Sequence, residues 1–183
     1  MDYEETSELN RKHIKTTVTS DEKEIEKHTS SFLHPSNRDN IRTKVIGFDA
    51  EWYMLNHLRY FKSWNYDLAY SSLLNFLRMP NVTFVGVGIK DNVAKLETYY
   101  GIGCRNAVEL GPLAATVMRK PRLSFCGVDE LVILVFGLDL REHRPVSSAY
   151  DYVCIPLSKE LAKLATVNVY SYYMIGNSLI RKM

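Results

Sequence analysis

The stretch Val45-Ile46-Gly47-Phe48-Asp49-Ala50-Glu51-Trp52 decides how this chain folds. Its apolar, β-branched start reads as a buried strand, and the strand runs into two acids. Side chains alternate along a strand, so Asp49 and Glu51 share one face, about 6–7 Å apart. Two carboxylates at the end of an apolar strand repel each other and lose water. Such a pair calls for a cation or a shared proton. A hard divalent ion such as Mg²⁺ takes oxygen ligands of this kind. Taken alone, the pair reads equally well as two charges in a turn beyond a strand.

The second strong strand is Val82 to Ile89, whose continuous apolar character suits burial on both faces. Between the two strands, residues 53–66 are crowded with aromatics and lack a clean period. A helix is predicted over 67–78, with Leu68, Leu73, Phe76 and Leu77 inward. Beyond the second strand, a helix over 91–100 stops at Gly101, a C′ glycine. A short strand near 106–109 and helices over 111–118 and 127–136 follow. The last element spans 157–181 and is capped by Ser158. Leu161, Leu164, Ala165, Asn168, Tyr172, Ile175 and Leu179 form one stripe on it, which puts the polar Asn168 on the face to be buried.

Upstream, residues 1–13 read as a loose polar N-terminus and 14–183 as a single domain. Ile14 to Thr19 alternates like a strand. Thr19 and Glu22 suggest a capping box for a helix over 20–33, with Ile25, Phe32 and Leu33 on its apolar face. Residues 34–43 form a linker rich in turn formers. Strands alternating with helices give an α/β fold with a mixed sheet.

Composition excludes several classes. The chain is 46% hydrophobic and 24% charged, ordinary for a globular domain, and its net charge of +2 is too mild to argue nucleic-acid binding by charge alone. Cys104, Cys126 and Cys154 form no CxxC motif and read as reduced thiols of an intracellular protein. The acidic N-terminus is not a signal peptide, and no apolar segment is long enough for a membrane. The five histidines are scattered and make no zinc pattern. Gly86-Val87-Gly88 lacks the third glycine of a dinucleotide fingerprint and reads as close strand packing. Tyr170, Tyr172 and Tyr173 read as core and rim. Arg119-Lys120-Pro121-Arg122 reads as a solvated loop before it reads as a phosphate contact.

Three segments together resemble the Werner-syndrome-like 3′–5′ exonuclease domain, most of all its plant branch. They are Gly47 to Trp52, Thr83 to Leu96 with Tyr100-Gly101 and Leu110 to Ala114, and Pro156 to Ser158 through Val167 to Tyr170 and Ile175-Gly176. The likeness covers residues 14–181. It implies a ribonuclease H-like fold of the DnaQ type and a DNA or RNA 3′ end as partner, in the nucleus or the cytosol. It also implies four carboxylates and a tyrosine, the DEDDy pattern. These would hold two Mg²⁺ or Mn²⁺ ions that activate water and stabilise the leaving 3′ oxygen.

Carried over by position, that pattern is half present. Asp49 and Glu51 match the first two acids and stand as metal ligands. The third acid falls at Asn92 and the fourth at Asn168, and the tyrosine falls at Leu164. Asp91, beside Asn92, is the candidate substitute, although a helix neighbour is rotated by about 100°. Leucine cannot hold a water, and asparagine keeps the shape of aspartate without its charge. The expectation is one weakly held ion or none. Loss of even one group from a concerted site costs on the order of 10²–10⁴ in rate, so weak or lost hydrolysis is expected. Glu51 to Leu73 also leaves too little chain for the two antiparallel strands usual in that family. An open sheet edge would invite homo- or hetero-oligomers, including a scaffold role beside active relatives.

Overall fold

The computed structural model describes residues 2–33, 44–50, 69–144 and 158–183. Glu51, Cys154, the 34–43 linker, the aromatic 53–66 stretch and the expectation of missing strands fall outside them.

Among the described residues the fold is α/β. Three strands, β3 (Lys44–Gly47), β4 (Val82–Gly86) and β5 (Ala107–Glu109), make a parallel sheet in the order β3-β4-β5. β4 is central and its side chains alternate between two cores. Val82 and Phe84 face α2 (Ala69–Leu77) and α3 (Ile89–Tyr100), where Phe76, Leu77 and Ile89 are buried with them. Val85 faces α4 (Leu110–Val117), α5 (Val128–Phe136) and α6 (Lys159–Ile180). The continuous apolar run of β4 is thus the signature of burial on both faces. Phe84 is fully buried and meets Phe76 edge-on at 5.1 Å. Burying such a ring contributes about 2–3 kcal/mol. No described helix is long and apolar enough to cross a membrane.

The loose N-terminus is corrected. Tyr3–Leu9 forms β1, antiparallel to β2 (Lys12–Val18). Asn10 and Arg11 turn the hairpin with φ of 51° and 60°. Two consecutive positive φ values give the tight turn whose twist matches a hairpin. The strand was hard to read because its inward positions include Glu5 and Ser7. Ser7 and Leu9 are nevertheless buried, and a 2.7 Å bond between Thr16 and Thr166 ties β2 to α6.

Local boundaries also shift. The helix α1 (Glu22–Leu33) is capped by Asp21, whose carboxylate accepts from Lys23 N at 2.8 Å. Thr19 bonds the Asp21 N–H at 3.0 Å instead of forming a capping box. β4 ends at Gly86, so Val87 to Ile89 is not strand. Gly88, at φ 71°, turns the chain into α3, and Gly101 closes that helix at φ 68° as expected. On α6, Ser158 Oγ accepts from Leu161 N at 3.3 Å. The predicted stripe is buried at Leu161, Tyr172, Ile175 and Leu179, but Ala165 is exposed.

One contact sets where the chemistry sits. A Cβ on Gly47 would stand 2.0 Å from the Val169 carbonyl oxygen. α6 therefore crosses the end of β3 backbone to backbone. That crossing brings Asn168 and Tyr172 over the residues that follow β3.

Candidate functional site

Asp49 lies just past β3, at the carboxyl ends of the parallel strands, where open α/β sheets bind ligands. The ladder continues one residue beyond the strand, with Phe48 N donating to Val85 O at 2.9 Å. A cavity of about 420 Å³ opens here, lined by Asp49, Asp91, Asn92, Lys95, Asn168 and Tyr172 among others. Glu109, at the end of β5, braces the rim by accepting from Gly88 N at 2.7 Å. A larger groove of about 720 Å³ lies between β2, β3 and α6. Its walls are mainly apolar and threonine side chains, so the chemistry belongs to the smaller cavity.

The Asp49 carboxylate is closely tied down. Oδ1 accepts from Ala50 N at 2.9 Å and from Asn92 Nδ2 at 3.1 Å, and Oδ2 accepts from the Tyr172 hydroxyl at 3.4 Å. Burial pushes this carboxyl above its ordinary 3.8, and the bonds from Ala50, Tyr172 and Asn92 offset part of the rise. The native state therefore binds this proton more tightly than the unfolded chain. Ionised Asp49 costs stability above its folded value. The cost shrinks as pH falls through that value and vanishes below 3.8. Asp49→Asn is expected to melt higher than the parent at pH 7, with the gap closing towards pH 3.8. Melting curves across that range check it, and a lower melting point at pH 7 would contradict it.

Asn168 is held from the other side. Arg144 Nη2 donates to its Oδ1 at 2.8 Å and meets Asp129 Oδ1 at 2.9 Å. Arg144 is one-quarter exposed, and its Nε is buried without a hydrogen-bond partner among the described residues.

Sequence reasoning brought Asp49, Asp91, Asn92 and Asn168 to one place, and the cavity gathers all four. Leu164, a turn before Asn168, is not part of its lining. Three participants were missed. Tyr172 was assigned to the core; it is 4% exposed, yet its hydroxyl reaches Asp49. Its position four residues after Asn168 was the available signal. Lys95 follows Asp91 and Asn92 by one helical turn, which also places it on the cavity side. Arg144 had no signal, because its partners come from distant helices.

The described residues do not by themselves make up a two-metal centre, and Glu51, the second expected ligand, lies outside them. No group of three acidic, histidine or cysteine side chains comes together among the described residues. Asp49 has both oxygens engaged by donors, and the Asn168 carbonyl is taken by a guanidinium.

No family model matches the chain. Over 79 residues it is 34% identical to the Arabidopsis thaliana protein RISC-interacting clearing 3′–5′ exoribonuclease 1. That match takes in 43% of this chain and 40% of the relative, so it spans less than half of either. Among solved structures, the chain is similar to the EXD2 exonuclease domain soaked in Mg and GMP. The TM-score is 0.38 and the identity 20%, over 87% of this chain and 88% of that one. The same domain soaked in Mg alone gives a TM-score of 0.38 at 19% identity, over 87% and 82%.

Proposed function

We propose that this chain is a 3′–5′ exonuclease-family protein of the ribonuclease H-like, DnaQ type that binds nucleic-acid ends and hydrolyses them weakly or not at all. One observation carries the reading. At the position of the fourth acid, Asn168 presents a neutral amide whose oxygen is held by Arg144 at 2.8 Å. Homology to a 3′–5′ exoribonuclease supports nucleic acid as the ligand and favours RNA. The expected ion occupancy is one weakly bound Mg²⁺ or Mn²⁺, or none. Asp49 and Glu51 are the ligands proposed for it, with Asp91 as the substitute.

What the residues do without an ion follows from their geometry. Asp49 is held in place by Asn92 and Tyr172. Asn168 and Lys95 offer polar contacts to a strand end entering the cavity. Asp49 already accepts three hydrogen bonds, which weakens it as a base for a water facing an incoming phosphate. A nuclease assay on labelled single-stranded RNA and DNA with Mg²⁺ or Mn²⁺ tests this, with Asp49→Ala as the blank. The expected turnover is at least about 10²-fold below that of relatives with all four acids. Turnover near theirs, abolished in the blank, would sink the proposal.

A second reading is an assembly partner of active relatives. Phe125, 94% exposed at the end of the turn Pro121–Phe125, favours it, because an isolated exposed ring of that size suits an interface. Sedimentation over a wide concentration range separates the two.

A further inference from the structure

We propose that Glu109 is a positioning residue of the Asp49 cavity: from the end of β5 it holds the start of α3, and so aims the Asn92 amide at the Asp49 carboxylate. This rests on the reading of that cavity as the nucleic-acid site.

The need for such a clamp lies in the turn before α3. The helix begins after Gly86-Val87-Gly88, and Gly88, its N-cap, has a φ of 71° and no side chain to cap with. Glycine loses more freedom than any other residue when its backbone is fixed. The first four N–H groups of a helix have no partner within it and need an acceptor from elsewhere. The usual acceptor is a Ser, Thr, Asp or Asn at the N-cap itself. Here it comes from 21 residues away: Glu109 Oε1 accepts from Gly88 N at 2.7 Å, and Oε2 lies 3.5 Å from Lys90 N. A carboxylate at the positive end of a helix is also favoured by the helix dipole.

That carboxylate has a firm base. Glu109 is the last residue of β5 and pairs with Gly86 of β4 in the parallel ladder. On the β3 side, a Cβ on Gly86 would stand 2.6 Å from the carbonyl oxygen of Phe48, the residue before Asp49. The turn is thus held between Glu109 and the backbone that leads into Asp49. Asn92 N donates to Gly88 O at 3.1 Å, the bond that opens α3, so the position of Gly88 sets that of Asn92. Asn92 Nδ2 then donates to Asp49 Oδ1 at 3.1 Å. A carboxylate only accepts, so the amide must present its N–H to it. A hydrogen bond weakens steeply as it leaves its line, and a small rotation of the first turn of α3 breaks this one. Asp91, on the same turn, also lines the cavity and moves with it.

The test reads the Asn92 side-chain amide by NMR in the full chain, without nucleic acid. Its pair of resonances is identified by its absence in Asn92→Ser. In the parent it is expected to move when Asp49→Ala removes its acceptor, and no movement there overturns the proposal. In Glu109→Ala that response is expected to be lost. Glu109→Gln keeps an acceptor oxygen for Gly88 N and is expected to restore it. A full response in Glu109→Ala, whatever its melting temperature, would make Glu109 a helix cap alone and overturn the proposal. Loss of the response in Glu109→Gln as well overturns it too, since charge or a general loosening of α3, not the Gly88 bond, is then the cause. If Glu109→Ala does not fold, Glu109→Asp, whose acceptor is drawn back by one methylene, takes its place: a reduced response supports the proposal and a full one overturns it. Fluorescence anisotropy of a labelled single-stranded RNA with the parent protein tests the nucleic-acid reading separately, so either can fail alone.

Discussion

Gly47→Ala is expected to destabilise the fold strongly. The added methyl would sit 2.0 Å from the Val169 carbonyl oxygen and 3.0 Å from the Tyr173 backbone nitrogen. Both neighbours are backbone atoms of α6, so neither can swing aside as a side chain end would. Relief requires α6 to lift off β3 along a helix that buries Leu161, Val167, Tyr172, Ile175 and Leu179. Overpacking of a core costs about 1–3 kcal/mol when side chains can adjust, and the backbone clash puts this case at about 3 kcal/mol or more. Total stability is only about 5–15 kcal/mol. The melting temperature should fall by about 10 °C, if a transition is seen at all. Circular dichroism melting checks it, and a fall of less than about 2 °C would show that the helix is not seated on β3 as described.

The second large effect separates two amides that look alike in the sequence. Asn92→Asp is expected to destabilise the protein at neutral pH by about 2 kcal/mol in the absence of metal. The 3.1 Å contact from Asn92 Nδ2 to Asp49 Oδ1 would become two carboxylate oxygens facing each other. The Asp49 carboxyl, already raised by burial, would rise further. The loss should shrink as pH falls and the pair comes to share a proton. Asn168→Asp should behave oppositely at neutral pH. Its new charge would meet Arg144 and turn a 2.8 Å neutral-acceptor bond into a charge-assisted one. Urea unfolding of both variants at pH 7 and pH 5 tests the contrast. Equal destabilisation by the two would refute the network.

Much of the fold was legible because its signals are local. The two-faced strand Val82–Gly86 announced itself by a continuous apolar run, and α6 by a stripe at three- and four-residue spacing with Ser158 as its cap. β1 was not legible. Its inward positions carry Glu5 and Ser7, so no apolar alternation marks it, and its pairing comes from the Asn10-Arg11 turn. The strand predicted through Ile89 was too long for a similar reason. Val87 and Ile89 have strand-forming side chains, but Gly88 adopts φ 71° and lets the chain turn into α3, which periodicity cannot report.

The candidate site divides along the same line. Sequence alone determined that an apolar strand leads into Asp49, and that amides stand at 92 and 168 where the resemblance implies acids. Those are facts of residue identity and spacing. Only the tertiary structure decided what the amides do: Asn92 donates to Asp49, and Asn168 accepts from Arg144. The physical reason is that hydrogen-bond direction depends on the partner. The partners here are 43 and 24 residues away in the chain, and the hydroxyl closing the set, Tyr172, is 123 residues from Asp49.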